Sequence, residues 1–213
     1  MLLTDQILIL PNFVSEHDCN NLIDEYEKKK ILSYKESSFS PIENKVLKST
    51  GRFISLETQN TLYNTVIEYY NKAIIEFVNF LDQKKSFNIQ IYKQQLRHPH
   101  QIRIIKYNVG QSIHPHTDWD HFAHASITLN LNEDYEGGDF SFFNRKYQVK
   151  LKKGDAIVFP ADYFWVHEIL PITKGSRYSV NSFIWSLPFD EVTKLRQEVL
   201  ELKNKNKPIF KLG

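Results

Sequence analysis

Cysteine is almost absent from this chain of 213 residues: Cys19 stands alone, so no intrachain disulfide can staple the fold. Its place on the apolar side of a predicted helix suggests a buried thiol in a reducing compartment, and a cytoplasmic protein is expected. Glycine is scarce at 7 residues, while hydrophobic residues make up 41% and aromatics 14%, which excludes collagen-like repeats and disorder. An excess of either charge is missing too. With 27 basic against 25 acidic residues there is no electrostatic reason to expect a nucleic-acid or membrane partner. The basic clusters at 28–30 and 203–207 sit beside predicted helix ends, where solvated lysines are common. No apolar run approaches the roughly 18 residues a spanning helix needs. The opening ten residues are broken by Asp5, lack a basic start and run into Pro11, so they read as a strand and not a signal peptide.

The length suits one domain over 1–213. A strand at Gln6 to Leu10 is followed by Ser15 and Asp18 in a capping pattern, and Cys19, Leu22, Ile23 and Tyr26 follow at helical spacing, predicting a helix from about 16 to 30. The polar stretch Ser33 to Arg52 reads as a surface loop. A second helix, about 58 to 82, aligns Leu62, Val66, Tyr69, Ala73, Phe77 and Leu81 for packing on a sheet. From about 89 to 187 the pattern changes to short β-branched and aromatic segments between turn signals such as Gly137-Gly138 and Lys153-Gly154-Asp155. Seven candidate strands, at 101–107, 126–131, 139–144, 147–151, 156–159, 165–170 and 178–186, suggest an antiparallel jelly roll or barrel. A last helix, about 190 to 205, carries Val192, Leu195, Val199 and Leu202 on one side, to cover the sheet or a second copy in a homodimer.

His116-Thr117-Asp118 sets an imidazole and a carboxylate two positions apart, which on an extended segment points both to one face. The triplet alone is weak evidence. His167, on a later strand flanked by Phe164, Trp165, Val166 and Ile169, supplies a third donor, and two imidazoles with one carboxylate form the facial triad of non-haem Fe(II) oxygenases. A carboxylate at 118 leaves no room for halide and argues for hydroxylation. Arg177, one strand beyond His167, has the planar fork that grips a carboxylate, implying a dicarboxylic co-substrate; a surface ion pair is the bland alternative. Five further histidines, His98, His100, His114, His121 and His124, could in principle make a zinc site, without cysteine ligands.

The chain resembles the prolyl 4-hydroxylase-like branch of the 2-oxoglutarate and Fe(II)-dependent oxygenases. The resemblance rests on Tyr107-Asn-Val-Gly110, His116-Thr-Asp118, Leu131-Asn132, Glu136-Gly-Gly-Asp139-Phe140, Lys153-Gly-Asp155 to Phe159-Pro160, and His167 to Arg177-Tyr-Ser179, with Ile9-Leu10-Pro11-Asn12-Phe13-Val14-Ser15 similar to the family's entry segment. It covers roughly residues 7 to 187. It implies an α+β, mainly β fold: a double-stranded β-helix (jelly roll) core, N-terminal helices packed on one sheet, and a C-terminal helix. It also implies iron on His116, Asp118 and His167, the distal carboxylate of 2-oxoglutarate on Arg177, O2 as co-substrate, and ascorbate as a candidate reductant. Tyr107 resembles a tyrosine lining the co-substrate pocket. Asn130 stands near where some relatives place a tyrosine reaching the same carboxylate, and Ser179 and Asn181 could add hydrogen bonds or be ordinary strand residues. Trp119 and Asp120, just after the triplet, are candidates to face substrate, and Trp185 reads as core. The implied reaction is hydroxylation of a prolyl or other amino-acid side chain in a peptide or protein. A small metabolite or nucleobase as substrate, or a silent jelly-roll binding module, are the competing readings.

Overall fold

A computed structural model describes residues 2–40, 45–47, 51–84, 89–118 and 123–204. In chain order the elements are β1 (Leu8–Leu10), α1 (Glu16–Lys29), β2 (Tyr34–Lys35), β3 (Ser38–Ser40), β4 (Lys45–Leu47), β5 (Arg52–Ser55), α2 (Thr61–Lys84), α3 (Ile89–Tyr92), β6 (His98–Asn108) and β7 (Ile113–His116). They continue with β8 (Ala123–Asn130), β9 (Glu136–Gly137), β10 (Phe140–Phe142), β11 (Tyr147–Val149), β12 (Ala156–Pro160), β13 (His167–Ile169), β14 (Ile172–Lys174), β15 (Ser176–Trp185) and α4 (Phe189–Asn204).

Two antiparallel sheets carry the architecture. The larger runs β1-β12-β8-β15-β6-β5-β2 and the smaller β11-β10-β13-β7. Strand alternation divides the large sheet's residues between two cores. Ile104, Ile127, Leu129, Val158, Val180 and Ile184 pack on one side against Cys19, Leu22 and Tyr26 of α1 and Val66, Tyr70, Ala73, Phe77 and Leu81 of α2. Ile105, Tyr107, Ile157 and Phe159 face the other way, onto Ile113, Phe140, Phe142, Val149 and Ile169 of the small sheet. Helices on one face and a second sheet on the other make the mainly β, double-stranded β-helix arrangement.

Local chemistry explains the helix starts. The Ser15 hydroxyl accepts the Asp18 amide at 3.1 Å, capping α1. On α2 the buried tyrosine is Tyr70 and not the expected Tyr69, because the helix turns by about 100° per residue and the buried stripe runs Val66, Tyr70, Ala73, Phe77, Leu81. Tyr69 instead lies at the edge, accepting the Ser15 amide and donating to Asp18 at 2.7 Å.

The expected loop at Ser33 to Arg52 is corrected: it contains β2, β3, β4 and the start of β5. β5 pairs with β6, and β2 with β5, extending the large sheet at its edge. Backbone ladders form there without an alternating apolar pattern. Of the two roles expected for the last helix, covering the sheet falls to Val192 alone, for Leu195, Val199 and Leu202 stay exposed.

Candidate active site

Two cross-strand pairs build the site. In the small sheet His116 of β7 lies opposite His167 of β13, with ring centroids 4.4 Å apart. In the large sheet Tyr107 of β6 lies opposite Arg177 of β15. The cavity between them is lined by both pairs together with Asp118, Phe140, Ser179 and Asn181, and encloses about 430 Å³ including its open mouth.

Each imidazole is held the same way. Nδ1 of His116 is 2.8 Å from the His114 carbonyl and Nδ1 of His167 is 3.0 Å from the Trp165 carbonyl. A carbonyl only accepts, so each Nδ1 carries a proton, and in the neutral ring Nε2 turns its lone pair to the cavity. The two Nε2 atoms lie 3.3 and 3.4 Å from the two oxygens of Asp118. Ser126 donates to Asp118 Oδ2 at 2.5 Å, orienting the carboxylate.

These donors fit a metal ion. One ligand atom from each of the three residues lies within 4.8 Å of the others, the sole such group of His, Cys, Asp or Glu among the described residues. Neighbouring ligands on an ion with bonds of about 2.1 Å lie roughly 3 Å apart, close to the separations seen here. The electrostatics favour ligation at two of the three donors; at His116 burial is outweighed by the Asp118 carboxylate, which raises the imidazole, so a metal must displace a proton there. The two imidazoles and the Ser126 hydroxyl outweigh burial and hold the Asp118 carboxyl well below the usual carboxylate range. Burial, with the His116 ring beside it, pushes His167 down to about 4, so that it stands neutral and ready to ligate.

Arg177 is the second unusual group. It is only 2% exposed, and its Nε and Nη2 are buried with no hydrogen-bond partner among the described residues. Its guanidinium stacks 5.3 Å from the Phe140 ring centroid. A buried cation with unused in-plane donors is costly unless an anion completes it. Gly138 makes room alongside: its φ is +68°, and an added Cβ would lie 3.2 Å from Arg177 Cδ.

The remaining sequence candidates separate cleanly. Tyr107, Ser179 and Asn181 line the cavity. Tyr107 donates its hydroxyl to Glu36 in a buried contact. Asn130, expected at the co-substrate, is corrected: its amide nitrogen donates to the Asn132 and Lys152 carbonyls at 2.7 and 3.1 Å, and its oxygen accepts from Tyr135 at 3.2 Å. It braces turns behind the cavity. Trp119 and Asp120 lie outside the described residues. Of the histidines offered for zinc, His100 stacks on Trp185 at 3.9 Å, and His114 contributes the carbonyl that holds His116. Trp185 is buried, as a core residue should be. The sequence reading missed Ser126 and Glu36. Ser126 was findable from its strand position two alternations before Asn130; Glu36 carries no local signal.

Residues 102–185 match the family model described as the 2OG-Fe(II) oxygenase superfamily. Procollagen-lysine,2-oxoglutarate 5-dioxygenase 1 of Mus musculus is 38% identical over 85 residues, 38% of this chain and 12% of the relative. A PKHD-type hydroxylase of Cupriavidus pinatubonensis is 25% identical over 142 residues, 66% of this chain and 50% of the relative. The chain therefore spans half or less of the length of these curated relatives. Among solved structures, the viral collagen prolyl hydroxylase of Paramecium Bursaria Chlorella virus-1 in its 2OG complex superposes with a TM-score of 0.61 at 20% identity, covering 85% of this chain and 96% of that one. A Pseudomonas putida prolyl-4-hydroxylase gives 0.62 at 16% identity, covering 85% and 93%. Both share the fold.

Proposed function

Because residues 102–185 match the 2OG-Fe(II) oxygenase superfamily model, we propose that this chain is a hydroxylase of an unactivated C–H bond in a prolyl or other amino-acid side chain of a peptide or protein. Fe(II), 2-oxoglutarate and O2 are the family's reactants. The observation that carries the reading to this chain is Arg177, a buried guanidinium with unused donors in the same cavity as His116, Asp118 and His167.

His116, Asp118 and His167 would hold Fe(II) on one face, leaving three positions for co-substrate and oxygen. Arg177 would grip the distal carboxylate of 2-oxoglutarate through two parallel hydrogen bonds. Bound together, these reactants supply hydroxylation coupled to decarboxylation: one oxygen atom enters the substrate, the other enters succinate, and carbon dioxide leaves. The chain's own residues do the positioning. Trp165 and His114 carbonyls fix the imidazole tautomers, and Ser126 fixes the carboxylate. Phe140, Phe159, Ile105, Ile113 and Ile169 wall the cavity with apolar surface, which limits water near the metal. Ser179, on the same face as Arg177, would add to the co-substrate's hydrogen bonding, while Tyr107, directly opposite Arg177, lines the same cavity with its hydroxyl given to Glu36.

Relatives named for collagen lysine and solved structures named for prolyl hydroxylases support an amino-acid side chain as substrate. The buried lone thiol supports a reducing, cytoplasmic setting, and no described helix is long and apolar enough to cross a membrane. The exposed Leu195, Val199 and Leu202 on α4 support a homodimer contact. The test is succinate formation by the purified protein with Fe(II), 2-oxoglutarate and ascorbate, across proline- and lysine-containing peptides and free amino acids. Substrate-stimulated succinate is expected. Failure of the Fe(II)-loaded protein to bind 2-oxoglutarate would remove the proposal.

A further inference from the structure

Arg103 is a second arginine on the cavity face of the large sheet, one that the reading above leaves unused. Alternation along β6 puts it on the same side as Ile105 and Tyr107, both of which line the cavity. It lies opposite Asn181 of β15, a cavity residue whose own side-chain oxygen is buried without a hydrogen-bond partner among the described residues. Its guanidinium lies 5.1 Å from the centroids of both Phe53 and Phe183. Phe183 in turn lies opposite Ser126, the residue that holds Asp118. On its other flank Arg103 pairs with Ser55, which lines a second cavity together with Tyr63, Pro99, Gln101 and Phe189. Across the strands Arg103 thus stands between Asn181, which lines the metal-site cavity, and Ser55, which lines its neighbour.

The backbone is bent to hold it there. β15 advances two residues from Asn181 to Phe183 while β6 steps three, from Arg103 to His100, and the extra residue is accommodated by Gln101 at φ +54°. Bulges of this kind re-aim side chains beside active sites. Packing against Phe53 and Phe183 engages the guanidinium's π surface. Nε of Arg103 is buried with no hydrogen-bond partner among the described residues. A guanidinium packed against two aromatic rings, with a buried Nε unpaired among the described residues, is preorganised for a carboxylate.

We propose that Arg103 is a specificity-determining residue that binds a carboxylate of the substrate, so that this protein prefers a target residue carrying or flanked by an acidic group. The inference rests on the oxygenase reading, since it needs a substrate beside the metal. The carboxylate could belong to an acidic neighbour in a peptide or to the α-carboxyl of a free amino acid, and the probes separate these sources.

Matched pairs make the test: acetylated and amidated Pro- and Lys-centred peptides flanked by Glu or by Gln, and free proline and lysine against their amides. Anaerobic calorimetry on the full chain with Fe(II) and 2-oxoglutarate reads probe binding, and succinate formation reads KM. The acid form of at least one pair should bind on the order of 10- to 100-fold tighter, the range set by a charge-assisted hydrogen-bonded pair. Arg103→Gln should reduce that preference to about twofold or less. Arg103→Lys, which keeps the charge without the stacked plane, should lower it severalfold and decides the matter if the Gln variant does not fold. If wild type binds 2-oxoglutarate but favours no acid form, or if the preference persists undiminished in either folded variant, this inference fails alone. If wild type does not bind 2-oxoglutarate, the oxygenase reading falls and takes the inference with it.

Discussion

Replacing Arg177 with Met separates binding from folding, because the two should respond with opposite signs. In the ligand-free protein Arg177 is 2% exposed with two nitrogens unpaired, so wild type bears the cost of a buried, unsatisfied cation, typically about 1 to 3 kcal/mol. The stack on Phe140 returns about 0.5 to 2 kcal/mol of that. Met retains much of the apolar stem, so the ligand-free stability of the variant should lie within about 1 kcal/mol of wild type or above it. Binding should suffer instead. Loss of a bidentate carboxylate pair costs about 3 kcal/mol, or roughly 150-fold in the Kd for 2-oxoglutarate. At a 2-oxoglutarate concentration 100 times the wild-type Kd, ligand adds about 2.7 kcal/mol to wild type but only about 0.3 kcal/mol to the variant. Anaerobic thermal melts of the Fe(II)-loaded proteins, with and without 2-oxoglutarate, read both numbers. An Arg177→Met protein destabilised by 3 kcal/mol without ligand, yet showing the full ligand-induced shift, would mean that Arg177 is a structural cation and not a carboxylate clamp.

Gly138→Ala should destabilise the fold by about 1 to 3 kcal/mol and weaken 2-oxoglutarate binding together, since φ is +68° and the new Cβ would meet Ile172 at 2.4 Å and Arg177 at 3.2 Å; denaturant melts and ligand titration check the pair of effects. Asp118→Ala should abolish tight Fe(II) binding, measured by metal content after gel filtration, while the far-ultraviolet circular dichroism stays native. Cys19 is fully buried and burial pushes its thiol up to about 11, so native protein should resist thiol reagents at pH 8 until denaturant is added, and rapid native labelling would contradict the packing. Glu27 accepts from Lys106 at 2.8 Å and Tyr178 at 2.6 Å, and its carboxyl is lowered to about 2, chiefly by the Lys106 hydrogen bond. A depressed carboxyl stabilises above its unfolded value and loses that contribution as pH falls from about 4.5 towards 2. Glu27→Gln should therefore remove about 1 to 2 kcal/mol of stability at pH 7 and flatten the acid limb, a modest figure because the side chain is partly exposed.

Legibility from sequence tracked whether a contact is local in the chain. The His116 and Asp118 spacing, the Ser15 cap and the apolar stripe of α2 are read over two to four residues at a time, and these motifs stand as expected. Tyr69 and Tyr70 differ by one step on a helix, and the neighbouring stripe alone did not choose between them. Asn130 failed for a related reason. Alternation along β8 puts it on the face of Ser126 and Thr128, but only the turn around Lys152 shows that its amide is already occupied by carbonyls. Glu36 could not be found at all, because its contact with Tyr107 spans 71 residues of chain and sits in a stretch with no periodic signal. The short strands around it are held by backbone pairing on a sheet edge, which leaves little trace in side-chain pattern.

The division of labour between the sheets explains why so few residues suffice for the site. The metal donors lie on β7 and β13 or directly after β7, in the small sheet, while both arginines lie in the large sheet, on β15 and β6. The apolar core of Ile105, Phe140, Phe159 and Ile169 sets the gap between the sheets. A rigid, close-packed gap fixes the span from metal to guanidinium without any side chain bridging it. The same geometry leaves Nε and Nη2 of Arg177 without an acceptor among the described residues, so on the proposed reading the packing that stabilises the fold also keeps those donors free for the co-substrate. Filling the gap from the large-sheet side, for instance by Ser179→Leu, should close the cavity to 2-oxoglutarate while leaving the His116, Asp118 and His167 cluster able to take up metal. Metal content measured beside 2-oxoglutarate titration separates those outcomes, and equal loss of both would show that the two sheets do not act as independent halves of the site.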